Sequence, residues 1–90
     1  MATLHIYESG QSSRPVASLD ALRMLIPFAP RMPSLFVLDY EGGSTQVHFA
    51  DPDRQHHTVK LISAFGVEKQ VFDSIEAARE TFFDLAQTAF

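Results

Sequence analysis

Residues 34–50, SLFVLDYEGGSTQVHFA, constrain the fold more than any other stretch of the chain. Residues 35–40 are apolar on both faces of an extended chain, which is typical of a central strand that is covered on both sides. Gly42-Gly43 tolerates the positive φ of a tight turn, and residues 45–50 then alternate apolar and polar side chains. The stretch therefore predicts an antiparallel hairpin at the centre of a sheet.

Further strands are predicted on both sides of this hairpin. Residues 3–7, TLHIY, alternate apolar and polar side chains, and residues 58–65, TVKLISAF, form the next strand after the hairpin. Gly66 bends or ends that strand, and residues 68–72, EKQVF, are a candidate for a short return strand. Residues 8–15, ESGQSSRP, are small and polar and include Gly and Pro, so they predict a loop.

Two helices are also predicted. Ser18 can cap a first helix, and Pro27 ends it because proline lacks the amide hydrogen that would continue the helix. Asp73 or Ser74 caps a second helix, which has a continuous apolar stripe and an acidic opposite side. The members of the apolar stripe are Ile75, Ala78, Phe82, Phe83, Leu85, Ala86 and Ala89.

The order of these elements predicts an α+β fold. We expect an antiparallel sheet of about four to five strands with two helices, in the order β-α-β-β-β(-β)-α. A chain of 90 residues with 46% hydrophobic residues is large enough for one small core, so residues 1–90 are expected to form a single domain.

Composition excludes several classes of function. The chain has no cysteine, and its seven basic residues are scattered, so neither a thiolate metal site nor direct nucleic-acid binding is expected. The first ten residues lack the pattern of a signal peptide, and no apolar run approaches the length of a membrane span. We therefore expect a cytoplasmic protein. Its net charge of −4 favours a protein partner with a basic surface.

Residues 48–57, HFADPDRQHH, hold three of the four histidines of the chain. We interpret this segment as a polar connection between strands, because Asp-Pro-Asp is common turn chemistry. Adjacent residues on an extended chain also point to opposite sides, so His56 and His57 are poorly placed to bind one ion. The alternative is a metal site, whose candidate ligands are His48, Asp51, Asp53, His56 and His57.

Four carboxylates are expected near one end of the central hairpin: Asp39, Glu41, Asp51 and Asp53. Two carboxylates catalyse hydrolysis only when burial separates their pKa values, and residues beside turns stay in contact with water. No phosphate-binding loop or G-x-S-x-G motif occurs, and no pattern in the sequence positions a Ser-His-Asp triad. We therefore predict a protein that is not an enzyme and that uses no cofactor.

The apolar strand at residues 35–40 leads to the main hypothesis of a binding surface. If both helices cover one face of the sheet, the other face shows Phe36, Leu38 and Tyr40, or the residues that alternate with them. Monomers rarely leave such apolar patches without a partner. If the helices lie on opposite faces, no patch remains, and the sequence leaves both arrangements open.

The layout of the chain resembles that of a family of small bacterial toxin-immunity proteins. The stretches that carry the resemblance are RPVASLDALRMLI, SLFVLDYEGGSTQVHF and FDSIEAARETFF, which together cover most of the chain. The chain is similarly close in format to small phage counter-defence proteins of the anti-CRISPR type. Either resemblance implies an inhibitor without catalytic activity that binds one protein target.

These observations predict a small acidic inhibitor that occludes a basic site on another protein. The residues expected to contact the partner are Phe36, Asp39, Tyr40, Glu41, Asp51 and Asp53. Aromatic side chains are expected to serve as anchors, because they carry much of the energy at interfaces. The alternatives are a small metal-dependent hydrolase that uses residues 48–57, and a homodimeric structural subunit.

Overall fold

The computed structural model describes residues 2–50 and 56–90. The elements in chain order are β1 (Ala2–Tyr7), β2 (Gln11–Val16), α1 (Leu19–Leu25), β3 (Ser34–Tyr40), β4 (Gly43–Phe49), β5 (His57–Ser63), β6 (Gly66–Phe72) and α2 (Ile75–Ala86), followed by a 3-10 turn (Gln87–Ala89). The α+β class is confirmed.

The strands form one six-stranded sheet in the order β2-β1-β3-β4-β5-β6. Every neighbouring pair is antiparallel. The predicted number of four to five strands is therefore too low. The return strand β6 is present, and β2 forms from residues that were predicted to be a loop. Because β2 is an edge strand that is exposed up to Val16, it needs no apolar alternation, and an edge position also tolerates Pro15.

Both helices lie on the same face of the sheet, which we call the covered face. Arg23 of α1 contacts Glu80 of α2 at 3.4 Å, and the helices share one core with the strands. The opposite face, which neither helix covers, we call the open face. The buried apolar side chains of the core are Ala2, Leu4, Val16, Leu22, Ile26, Phe36, Leu38, Val47, Phe49, Val59, Ala78, Phe82, Phe83 and Ala86.

Local chemistry explains where the helices begin. The hydroxyl of Ser18 accepts a hydrogen bond from the amide of Ala21 at 3.1 Å, and Ser74 accepts one from Ala77 at 3.2 Å. Each bond satisfies an amide that has no partner within its own helix. The predicted apolar stripe of α2 is confirmed, since Phe82 is fully buried and every other member is buried or half-buried.

Two aromatic side chains that were expected to contact a partner lie on the covered face. Phe36 is 1% exposed and packs edge-on against Phe49 in the core, with 5.9 Å between the ring centroids. Tyr40 is half-buried, and its hydroxyl lies 2.8 Å from the Thr45 hydroxyl. Phe36 therefore presents no surface to a partner, and the alternate residues of β3, Leu35 and Val37, lie on the open face.

Neither helix within residues 2–50 and 56–90 is long and apolar enough to cross a membrane.

Candidate functional site: the open face of the sheet

The register of the strands arranges the side chains of the open face in rows that run across the sheet. At the end that holds the β3–β4 turn, the row is Pro15, Thr3, Asp39, Ser44, Ile62 and Val67. The middle row is Ser13, His5, Val37, Gln46, Lys60 and Lys69. The row at the far end is Gln11, Tyr7, Leu35, His48, Thr58 and Val71.

Aliphatic side chains lie on this face in β3, β5 and β6. They are Leu35, Val37, Ile62, Val67 and Val71. The two valines of β6 are the most exposed, at 63% for Val67 and 46% for Val71, and Phe65 in the adjoining β5–β6 turn is fully exposed. The open face therefore carries exposed aliphatic side chains among polar ones, and the exposed aromatic side chain of Phe65 lies in the turn next to it.

The charges of the open face are few and unevenly placed. The formally charged residues are Asp39 on β3 and Lys60 and Lys69 on β5 and β6. Glu41, in the adjoining β3–β4 turn, adds a second carboxylate beside Asp39. One corner of the face is thus acidic and the opposite side basic.

A continuous hydrogen-bonded chain joins Ser13, His5 and Asp39 on this face. The Ser13 hydroxyl lies 2.7 Å from His5 Nδ1, and His5 Nε2 lies 2.8 Å from an Asp39 carboxylate oxygen. Ser13 is directly opposite His5 in the β1–β2 ladder, and Asp39 pairs with Thr3, two residues before His5. The side chains of His5 and Asp39 are 26% and 54% exposed, so the chain is open to solvent.

The histidines at residues 48, 56 and 57 do not converge. His48 lies on the open face, opposite Thr58, so the preceding residue, His57, points to the covered face. His56 Nδ1 contacts the Asp73 carboxylate at 3.0 Å. Within the described part of the chain, no group of three or more His, Cys, Asp or Glu side chains is arranged to hold a metal ion.

His57 has a structural environment. Its Nδ1 accepts a hydrogen bond from the amide of Ala50 at 2.8 Å, and its ring packs against Phe49. Burial lowers the pKa of His57 from its ordinary value of 6.5, the neighbouring His56 lowers it further, and Asp73 opposes both effects. His57 is therefore neutral at pH 7, as its role as a hydrogen-bond acceptor requires.

Of the four predicted carboxylates, the described residues include Asp39 and Glu41. Asp39 and Glu41 lie at the end of the sheet that holds the β3–β4 turn, whereas Ala50 follows the other end of β4. Asp51 and Asp53 lie outside the described residues.

The cavity on the open face is small, whereas a cavity of about 420 Å³ beside α2 is lined by Phe28, Glu76, Arg79 and Glu80. A pocket of about 160 Å³ on the open face is lined by Leu35, Gln46, His48, Thr58 and Lys60. Drug-sized ligands ordinarily occupy about 300–1,000 Å³, so this pocket is small for such a molecule. A larger cavity of about 400 Å³ lies elsewhere, and its lining residues are Ala2, Pro15, Val16, Ala17, Ala89 and Phe90.

Sequence reasoning missed Ser13 and His5 because it treated residues 8–15 as a loop. Residues 11–15 are polar and exposed, so the β1–β2 hairpin lacks the two alternating apolar runs that ordinarily predict a hairpin. With that hairpin, the register places Ser13 opposite His5. The pairing of β1 with β3, which brings Asp39 close to His5, can be predicted only when the order of all strands in the sheet is known.

Comparison with known proteins finds no matching family model, no matching curated protein and no matching solved structure. The resemblance to toxin-immunity and phage counter-defence proteins therefore stays a prediction, and the function is argued from the open face itself.

Proposed function

We propose that this protein binds another protein through the open face and inhibits its partner by occluding it. The observation that carries the proposal is the apolar surface that both helices leave uncovered. An antiparallel sheet with one solvated face ordinarily alternates apolar side chains on the core side with polar ones on the wet side. Leu35, Val37 and Ile62 depart from that pattern, since they lie on the wet side.

The size of the open face fits a protein–protein contact. Six strands spaced about 4.8 Å apart, with a rise of about 3.3 Å per residue over their length, give a face of roughly 650 Å². A standard interface buries about 800 Å² on each partner. The face and the exposed Phe65 in the adjoining turn together approach that size.

Charge complementarity indicates the chemistry of the partner. Asp39 and Glu41 favour a basic group opposite the turn end of the face, and Lys60 and Lys69 favour an acidic group opposite β5 and β6. The aliphatic residues of β3, β5 and β6 favour apolar contacts with the partner. A partner with a basic site bordered by an apolar surface would match the two carboxylates and the apolar residues of the open face.

The expectations on nucleic acid, location and catalysis come from the sequence. The open face offers only two lysines, which gives little support for contacts with a phosphate backbone. We place the protein in the cytoplasm and propose that it works by occupying a surface rather than by turning over a substrate. Toxin immunity and phage counter-defence are the two biological settings that its resemblances imply.

Affinity capture with paired variants tests the proposal. Val37→Lys places a charge in the middle of the open face, and Ala77→Lys places the same charge on the exposed side of α2. We expect a host protein that binds the wild type and Ala77→Lys to be captured at least about tenfold less by Val37→Lys, because a lysine there must be desolvated on binding. Circular dichroism of both variants verifies the fold.

Two outcomes contradict the proposal. A partner captured equally by both variants shows that the interface lies off the open face. A doubled mass in light scattering that Val37→Lys returns to a monomer assigns the face to a second copy of the chain, as in the homodimer alternative.

A further inference from the structure

We infer that Ser13 is an activated nucleophile that accepts an acyl group from activated carboxylic esters. The inference rests on the chain of hydrogen bonds from Ser13 through His5 to Asp39, and it is independent of the proposed protein-binding function. A serine hydroxyl that contacts an imidazole, which a carboxylate orients in turn, is the principle by which serine nucleophiles are activated on unrelated folds; here the two ring nitrogens exchange roles, with Nδ1 facing the serine and Nε2 facing the carboxylate.

The hydrogen-bonding capacity of the three groups fixes the direction of proton transfer. A carboxylate accepts hydrogen bonds, so at the 2.8 Å contact His5 Nε2 carries a hydrogen and donates a hydrogen bond to Asp39. In this tautomer the lone pair of the ring lies on Nδ1, which accepts a hydrogen bond from the Ser13 hydroxyl at 2.7 Å. Asp39 therefore holds His5 in the tautomer that serves as a base toward Ser13.

The acylation step requires only Ser13, His5, Asp39 and the ester. Ser13 Oγ attacks the carbonyl carbon of the ester and forms a new C–O bond, while its proton passes to His5 Nδ1. The bond between the carbonyl carbon and the leaving-group oxygen breaks, and His5 returns the proton to that oxygen or to water. Asp39 remains ionised throughout and stabilises the transient imidazolium.

The surroundings of Ser13 restrict the substrate class. Backbone amides of a sheet lie in its plane, so none of those in β1–β3 points at an oxygen above the open face. Losing a single oxyanion donor costs about 10²–10³ in rate, which excludes amides and unactivated esters as efficient substrates. Small esters with a good leaving group remain, because Ser13 is exposed and open to solvent.

The adjacent residue Ser12 provides an internal control. Both serines are exposed on β2, but Ser12 lies opposite Ile6, on the other face of the strand from the imidazole. The experiment treats the intact protein with p-nitrophenyl acetate and locates acetyl groups by tandem mass spectrometry. General-base assistance is worth about 10²–10⁴ in rate, so we expect Ser13 to be acetylated at least about 100-fold faster than Ser12.

Three variants separate activation from simple exposure. Ser13→Ala should remove the fast acetylation, Ser12→Ala should leave it unchanged, and Asp39→Asn should slow it at least about tenfold because the favoured tautomer is lost. Equal acetylation of the two serines, acetyl groups found only on lysines, or an unchanged rate in Asp39→Asn would each overturn the inference.

Discussion

Arg79 shows how one side chain joins separate elements. Its guanidinium donates hydrogen bonds to the backbone carbonyls of Arg23 and Ile26, at the end of α1, over 3.1–3.3 Å. It also lies over the ring of Phe28, 4.0 Å from the centroid, and over that of Phe83. Helix ends leave carbonyls unpaired, so this arginine of α2 provides partners for two carbonyls at the end of α1.

His57 makes the stability of the fold depend on pH. Burial lowers its pKa below 6.5 in the folded chain, so the unfolded chain takes up the proton at a higher pH. Between pH 6.5 and the lowered value, acidification therefore favours unfolding; above pH 6.5 the contribution of His57 is fully present. We expect His57→Gln, whose amide oxygen can still accept a hydrogen bond, to lose this part of the slope.

The measurement is the free energy of unfolding from urea titrations at several pH values between 5 and 8. His48→Gln is the matched control, because it changes a half-buried histidine of the open face. The wild type and the control should lose stability more steeply on acidification than His57→Gln. Parallel curves for all three proteins would contradict the structural role of His57.

At the scale of elements, the β3–β4 turn depends on the close approach of Gly43 to β5. A methyl group on Gly43 would clash with the backbone carbonyl of Ile62, whereas one on Gly10 in the β1–β2 loop would meet open space. We expect Gly43→Ala to lower the unfolding free energy by about 1–3 kcal/mol. Gly10→Ala should change it by less than about 0.5 kcal/mol. Urea melts compare the two, and equal midpoints would show that β4 and β5 separate readily at this end.

The elements that the sequence predicts well are those with a local signal. The hairpin at Gly42-Gly43 carries its own turn chemistry, and Ser18 and Ser74 form the helix caps within three residues. The strand β2 lacks such a signal, because neither of its faces is buried before Val16 and its stability comes from pairing with β1. Propensity and periodicity do not detect a strand that another strand stabilises.

At the scale of the whole molecule, the candidate site was predictable only in part. The carboxylates Asp39 and Glu41 were identified because they flank a recognisable turn. Whether Phe36 is buried depends on which face of the sheet both helices cover. Helix packing is a long-range property, so the periodicity of residues 35–40 does not predict it. The Ser13–His5–Asp39 chain likewise needs three strands in a particular order.

The sheet order also predicts how stability is distributed through the molecule. β4 lies between two strands and contributes the buried Val47 and Phe49, whereas β6 pairs on one side only and is exposed up to Phe72. Opening β6 exposes little apolar surface, so it requires less free energy than global unfolding.

Amide hydrogen exchange followed by NMR should show the β6 amides exchanging at least about 100-fold faster than the slowest amides of β4. The measurement is repeated at two protein concentrations. Protection of β6 equal to that of β4 and independent of concentration would contradict this distribution, and protection that rises with concentration would show that β6 pairs with another chain.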